Sequence, residues 1–258
     1  METLRKGSKG AAVAALQRAL GITADGVFGA RTEAAVKAFQ NGKGLTADGV
    51  VGAMTWAALG MGGGVDQSVV FLPLSVHVSK LAGRSIKFLA IHYTAGGTSK
   101  AGSARAVKRV FEQRSASADF AVDDKEMVQF NPDPRNYYCW AVGDKKAANV
   151  RCPEATNRNT ISIEICSTLQ RGTSAAVPNH EGWTFTEAAL DNAARLAKIL
   201  MKKYNIPIER VVRHYDITGK YCPGLKHWNL GQLYGTNGKP TGERNDENEW
   251  LNFKKRLR

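Results

Sequence analysis

Apolar residues in the first 60 positions recur at helical spacing, and the pattern occurs twice. Val13, Leu16 and Leu20, with Gln17 beside them, follow the spacing of one helix face, and Val36, Phe39 and Gln40 do so again. The stretch GITADGVFGARTEAAV (21–36) returns as GLTADGVVGAMTWAAL (44–59), offset by 23 residues throughout. Asp25 matches Asp48, Gly26 matches Gly49, Gly29 matches Gly52 and Thr32 matches Thr55. Each copy reads as a DGVxG turn feeding a short helix that starts near its threonine. With the helix before them, the copies predict a three-helix module over 1–60 with a small core. It holds no histidine or cysteine, so it suits binding better than catalysis.

The run Gly60-Met61-Gly62-Gly63-Gly64 breaks that pattern. It reads as a flexible linker, 61–67, before a second domain at 68–258. There the periodicity changes. KFLAIHY (87–93) reads as a strand buried for most of its length, and SARAVKRVFEQR (103–114) as a helix with Val107, Val110 and Phe111 inward. ADFAVDD (118–124) and EMVQF (126–130) read as a hairpin around Asp124-Lys125. TISIEIC (160–166) alternates: Ile161, Ile163 and Ile165 face one way, Ser162, Glu164 and Cys166 the other. WTFTEAALDNAARLAKILMKKY (183–204) carries a long apolar stripe, with Thr184 and Glu187 spaced as a capping box. VVRHY (211–215) reads as a short strand and NEWLNFKKRLR as a closing helix. This order predicts an α/β (α+β) domain, a mixed central sheet flanked by helices.

Composition narrows the picture a little. Of 258 residues, 43% are hydrophobic and 23% charged, a globular balance with room for both domains. The net charge of +13 suits a polyanionic partner such as nucleic acid, an acidic membrane surface or an anionic cell wall. It is diffuse, +3 on residues 1–60 and +10 beyond them. No zinc-finger pair, basic helix repeat or RNP-like strand supports nucleic acid. No 18-residue apolar stretch exists, so no membrane insertion is expected. The start, METLRKGSKGAAVAALQ, lacks the apolar core and cleavage site of a classical signal peptide. The expectation is a protein made in the cytoplasm that reaches an outside target by another device. Cys139, Cys152, Cys166 and Cys222 are too few to staple a scaffold of this length. They read as mostly reduced, with one free to act as a ligand and a Cys139–Cys152 disulfide as the alternative.

The chemistry-bearing residues are few. His92 ends a buried strand and leads into Tyr93-Thr94-Ala95-Gly96-Gly97, a place where a polar side chain can line a cleft. His214 follows a short apolar run, and Cys222 lies eight residues further on. Two imidazoles and one thiolate leave the fourth position of a tetrahedral zinc free for water. Spacing alone leaves the alternative open, because a lone strand-end histidine is more often structural and a lone cysteine an inert core thiol. His77, His180 and His227 read as structural or surface residues.

IHYTAGG, NRNTISIEIC and VVRHYDITGKYCPG resemble, in order, three signature blocks of the type 2 N-acetylmuramoyl-L-alanine amidase family. The likeness covers roughly residues 84–224. Residues 1–60 resemble the peptidoglycan-binding type 1 domain, doubled DGxxG pattern included. The resemblance implies one zinc ion held by His92, His214 and Cys222. It implies Glu164 as general base and Lys220 as the cation that stabilises the oxyanion. Members that use a tyrosine as base carry it on the strand after the first helix, where this chain has Ala118 and Asp119. A block that often reads WHAG reads CWAVG here, with Ala141 in place of the histidine. Tyr93, Trp140 and Asn157 are candidates to line the glycan or peptide groove.

The resulting expectation is a zinc-dependent amidase that cleaves the bond between N-acetylmuramic acid and L-alanine in bacterial peptidoglycan. It would be of the phage endolysin kind, released through a holin-type pore, with anionic wall polymers as further partners. A non-catalytic recognition protein on the same fold is one alternative, which the presence of Cys222 disfavours. A host autolysin is another. A sugar-cleaving enzyme would need two carboxyls flanking the glycosidic bond, and no motif pairs Asp133 with Asp144.

Overall fold

The computed structural model describes residues 3–59, 68–95, 102–143, 145–170 and 177–258. The predicted linker at 61–67, Gly96, Gly97 and Asp144 lie outside them. The chain divides into two compact units, Met1–Gln67 and Ser68–Arg258.

The first unit contains α1 (Ala11–Ala19), α2 (Ala30–Gly42) and α3 (Ala53–Ala58). Leu4, Val13, Leu16, Phe28, Val36, Val51 and Trp56 form its core. The repeat in the sequence is a repeat in hydrogen bonding. Gln17 is buried, and its Nε2 donates to Asp25 Oδ1 (2.7 Å), the Val27 carbonyl (3.0 Å) and Thr32 Oγ1 (2.9 Å). Its Oε1 accepts the Gly26 N–H at 2.9 Å. Gln40 does the same 23 residues later, with Asp48, Val50, Thr55 and Gly49. A buried amide is costly unless its donors and acceptor are used; here both are. Gly26 and Gly49, at φ 72° and 75°, supply the left-handed turns that bring those N–H groups to the glutamines.

The second unit holds, in chain order, β1 (Val69–Phe71), β2 (Val78–Lys80), β3 (Phe88–Tyr93), α4 (Ala104–Gln113), β4 (Phe120–Val122), β5 (Met127–Gln129) and β6 (Tyr137–Cys139). It continues with β7 (Thr160–Ile165), β8 (Thr168–Leu169), β9 (Trp183–Thr184), α5 (Glu187–Tyr204) and β10 (Val211–Arg213). The last elements are α6 (His214–Thr218), β11 (Gln232–Tyr234), β12 (Pro240–Arg244) and α7 (Asn248–Lys255). The main sheet has the order β1-β5-β4-β7-β3-β10. Strands β4, β7, β3 and β10 run parallel, and β5 returns antiparallel beside β4. β3 and β7 are buried along most of their length, as expected of central parallel strands covered on both faces. α5 packs on β7, β3, β4 and β5. The other face carries α4, whose Ala104, Val107 and Phe111 meet Ala121, Val128 and Cys166. It also carries α6, whose Ile217 meets Phe88, Ala90 and Val212. Among the described residues no helix is long and apolar enough to cross a membrane.

Four expectations need correcting. Helix α5 starts at Glu187, because Trp183 and Thr184 pair with Leu169 and Thr168 as β9. Its cap is Thr186, whose hydroxyl accepts the Ala189 N–H at 3.1 Å, not Thr184. Val110 is 43% exposed rather than inward. His214 opens a helix instead of ending a strand. All four cysteines are free, as the reduced reading expects, and the alternative Cys139–Cys152 bond is absent.

Candidate metal centre

The site forms at the carboxyl ends of parallel strands, where open α/β sheets present their clefts. His92 and Glu164 are register partners on β3 and β7. Paired positions on parallel neighbours point to the same face, here the face that carries α4 and α6. His214 follows β10 directly. The loop after α6 then folds back, and the Tyr215 N–H donates to the Cys222 carbonyl at 3.0 Å. That bond sets Cys222 beside the start of the helix that carries His214. Gly224 makes the return possible: a Cβ there would stand 2.5 Å from Tyr93 Oη and 2.7 Å from Pro178 Cβ.

His92, His214 and Cys222 are all buried, and one ligand atom from each lies within 4.8 Å of the others. Cys222 Sγ is 3.7 Å from His92 Nδ1, and the two imidazole centroids are 4.7 Å apart. Glu164 Oε1 lies 3.9 Å from His92 Nδ1. The polar atoms left without partners are informative. His92 Nε2, His214 Nδ1 and Glu164 Oε2 are buried and make no hydrogen bond. The other nitrogen of His214, Nε2, meets the Val142 carbonyl at 3.2 Å. Since a carbonyl only accepts, Nε2 carries the proton and Nδ1 keeps a free lone pair. Unpartnered imidazole nitrogens beside a buried thiol are a donor set a metal ion satisfies, and this softness of ligand suits zinc.

The electrostatics of the bare site agree. Burial, helped by His214 and Lys220, pushes His92 well below the usual histidine range. Burial, with Lys220, lowers His214 to about 4. Burial and then the Glu164 charge push the Cys222 thiol up. Burial raises Glu164 to about 8, with Lys220 opposing it. Each shift has burial as its largest cause and favours the neutral form. A bound cation compensates that burial and favours the thiolate that ligates it.

Around these side chains lies a cavity of about 470 Å³. Tyr93, Trp140, Ala141 and the exposed Lys220 contribute to its walls. α4 contributes Val107, Val110, Phe111 and, just past its end, Arg114. Tyr93 packs edge-on to Trp183 at 6.0 Å. Asn157 is not in this cavity. Its Oδ1 accepts the N–H groups of Ala141 (2.9 Å) and Val142 (2.8 Å) and so holds the loop whose carbonyl orients His214. Sequence reasoning missed that role; only the polar asparagine in a loop pointed to it.

Arg213, which precedes His214, was also missed. It is fully buried, and its Nη2 and Nε bind Asp216 Oδ1 (2.6 Å) and Oδ2 (2.9 Å). Glu247, at the start of α7, reaches the same guanidinium at 2.5 Å. At the position considered in the sequence for an alternative tyrosine base, Ala118 is in the core. Asp119 is buried, accepting from Ser162 N (2.9 Å), Ser162 Oγ (2.8 Å) and Asn131 Nδ2 (2.5 Å). Neither lines the cavity. Cys166 is a buried thiol, pushed up by burial, outside the ligand cluster. His77 bonds the Phe111 carbonyl, His227 pairs with Asp246, and His180 is buried. Asp133 is occupied by the turn around Asn136.

Residues 82–225 match the N-acetylmuramoyl-L-alanine amidase family, and residues 9–59 match a peptidoglycan binding domain. The N-acetylmuramoyl-L-alanine amidase CwlL of Bacillus licheniformis is 32% identical over 154 residues, 56% of this chain and 37% of that protein. CwlA of Bacillus subtilis is 32% identical over 137 residues, 53% of this chain and 43% of that protein. The chain thus spans less than half the length of either relative. A solved structure of the catalytic domain of XlyA is 25% identical, with a TM-score of 0.47 over 73% of this chain and 96% of that one.

Proposed function

This chain belongs to the N-acetylmuramoyl-L-alanine amidase family, and from that premise we propose that residues 68–258 hydrolyse the amide between N-acetylmuramic acid and L-alanine in bacterial peptidoglycan. Residues 1–60 hold the wall, the division of labour of an endolysin. One observation carries the reading: His92, His214 and Cys222 converge beside a carboxylate, Glu164, that has a free oxygen. The peptidoglycan binding match at 9–59 supports the wall-holding role, and the +13 charge supports attraction to anionic wall polymers.

His92, His214 and Cys222 would hold a zinc ion, which would supply Lewis acidity toward the amide carbonyl and toward water near neutral pH. Glu164 accepts the proton of the attacking water and returns it to the leaving L-alanine nitrogen. Its unpartnered oxygen is free to take and return that proton. Lys220 brings positive charge to the cavity in which the carbonyl oxygen becomes negative. Arg213 and Asn157 touch no reacting atom; they fix the backbone and ring of His214.

The test is digestion of purified sacculi with mass spectrometry of the new ends. Free L-alanine amino termini without new reducing sugars are expected. New reducing sugar ends would make the enzyme a glycosidase and end this reading.

A further inference from the structure

Beyond Trp140 lies a second cleft of about 520 Å³, lined by Ser79, Tyr138, Thr156, Asn157 and Arg158. Trp140 borders both this cleft and the cavity of His92, Glu164 and Cys222. The hydrolytic chemistry uses none of the five lining side chains directly. We propose that the cleft is a saccharide subsite. It takes the N-acetylhexosamine units adjoining the muramic acid whose amide is cut, and Trp140 is the platform over which the glycan strand passes. The proposal rests on the amidase reading and adds to it the direction of the glycan.

Trp140 is 40% exposed yet firmly held. Its indole Nε1 donates to Ser79 Oγ at 2.9 Å, and its backbone N–H donates to Ser117 Oγ at 2.9 Å. The His77 ring lies against it at 5.3 Å and is itself pinned to the Phe111 carbonyl at 2.7 Å. An indole anchored by its N–H and still open to solvent is a preorganised apolar surface, suited to the C–H face of a pyranose. Asn157 adds polarity with a fixed orientation. Two backbone N–H groups hold its Oδ1, so its Nδ2 donors point away from them and have no partner among the described residues. They are free for a hydroxyl or acetamido oxygen. The Arg158 guanidinium lies 5.8 Å from the Tyr138 ring centroid, adding donors beside a second aromatic face. Among the described residues the lining contains no carboxylate.

The stem peptide fits the other cavity better. There α4 offers the apolar Val107, Val110 and Phe111, with Arg114 for a carboxylate. The exposure of Val110, unexpected for a core position, has a use on that wall. The two branches of the substrate therefore separate at the scissile amide, peptide along α4 and sugar across Trp140.

The test gives full-length, zinc-loaded protein two substrates: a muramic acid peptide with no further sugar, and the same peptide on a tetrasaccharide. The expected result is a kcat/KM higher by about tenfold or more on the longer glycan, because remote binding is used at the reacting bond. That ratio should fall toward one in Arg158→Ala and in Thr156→Val. A wild-type ratio near one, or equal ratios in wild type and variants, overturns the proposal. A second measurement needs no turnover. Peptide-free tetrasaccharide is titrated into the full-length protein while the Trp140 indole N–H resonance is followed. A shift, weakened in Arg158→Ala, is expected; a resonance unmoved by saccharide overturns the proposal. Failure of the amidase reading would show separately, as muropeptides that keep their peptides while the saccharide titration proceeds unchanged.

Discussion

The Val142 carbonyl meets His214 Nε2 at 3.2 Å, and this contact decides which nitrogen of the ring faces the cavity. Asn157 stands behind it, accepting the Val142 N–H at 2.8 Å. Orienting partners of this kind are typically worth about 10–100-fold in metal affinity. Asn157→Leu, which removes the acceptor, should weaken zinc binding by about tenfold. Asn157→Asp, which keeps an acceptor, should recover most of it. Competition against a chelator measures both, and nitrogen NMR of His214 reports the tautomer. Wild-type affinity in Asn157→Leu would show that the loop holds without this side chain.

The ligand set makes a direct prediction. Purified protein should contain about one zinc per chain, and His214→Ala should lose both metal and turnover. Elemental analysis decides the matter: full metal content in that variant would remove His214 from the set.

Glu164 lies beside His92 with one oxygen unpartnered. Glu164→Gln is nearly isosteric, so it should keep fold and zinc while losing at least about a hundredfold in turnover. A variant that holds its zinc and keeps more than about a third of wild-type turnover would make Glu164 a groove residue, since a general base contributes about 10²–10⁴ in rate.

The same carboxyl should shape the stability of zinc-free protein. Its folded pKa is raised from 4.5 to about 8. The folded state therefore binds this proton more tightly than the unfolded chain does. The associated stability is whole below about pH 4.5 and is lost as pH rises through 8. His214 has the opposite sign. Lowered from 6.5 to about 4, it contributes stability above 6.5 that is lost as pH falls through 4. Thermal melts of chelated protein should fall as pH rises from about 6.5 to 8, where Glu164 loses its contribution and His214 does not, and again as pH drops below about 4.5, where the reverse holds. Glu164→Gln should remove the fall between about 6.5 and 8, on the order of 2 kcal/mol. An alkaline limb identical in wild type and variant would contradict the raised pKa.

Gln17 and Gln40 give the fifth prediction. Replacing Gln40 by Leu leaves the Gly49 N–H without its acceptor. An unsatisfied buried group costs about 1–3 kcal/mol. Hydrogen exchange of the Gly49 amide in full-length protein should speed up by more than about tenfold, and Gln17→Leu should do the same at Gly26. Unchanged exchange would mean that water replaces the glutamine at no cost.

Local pattern made much of this legible. The isoleucine alternation placed Glu164 on the side of the strand opposite Ile161, Ile163 and Ile165, and the 23-residue echo gave the helical module. Family blocks brought together His92, His214 and Cys222, which are far apart in the chain. What stayed hidden depended on pairing. Nothing in either segment says that His92 and Glu164 are register partners, because β3 and β7 are separated by the β4–β5 hairpin and a long loop. Thr184 satisfied the capping-box spacing as well as any residue could. The pairing of β9 with β8 took it, and Thr186 became the cap. Val110 follows the helical stripe, yet its side of α4 meets a cavity instead of the sheet. His214 reads as the end of an apolar run, but Asp216 accepts the Arg213 N–H at 2.8 Å and turns the chain into α6.

The guanidinium of Arg213 is neutralised partly from a distance. Glu247 comes from the segment entering α7, and Arg213 also lies 5.2 Å from the ring of Trp250 within that helix. The family match ends at residue 225, short of both groups. A chimeric enzyme joined just beyond Gly224 would keep His92, His214 and Cys222, yet the buried guanidinium beside His214 would lose one of its two carboxylate partners, Glu247, and keep only Asp216. The practical junction for exchanging modules therefore lies after α7, and the closing helix travels with the catalytic half as its keystone.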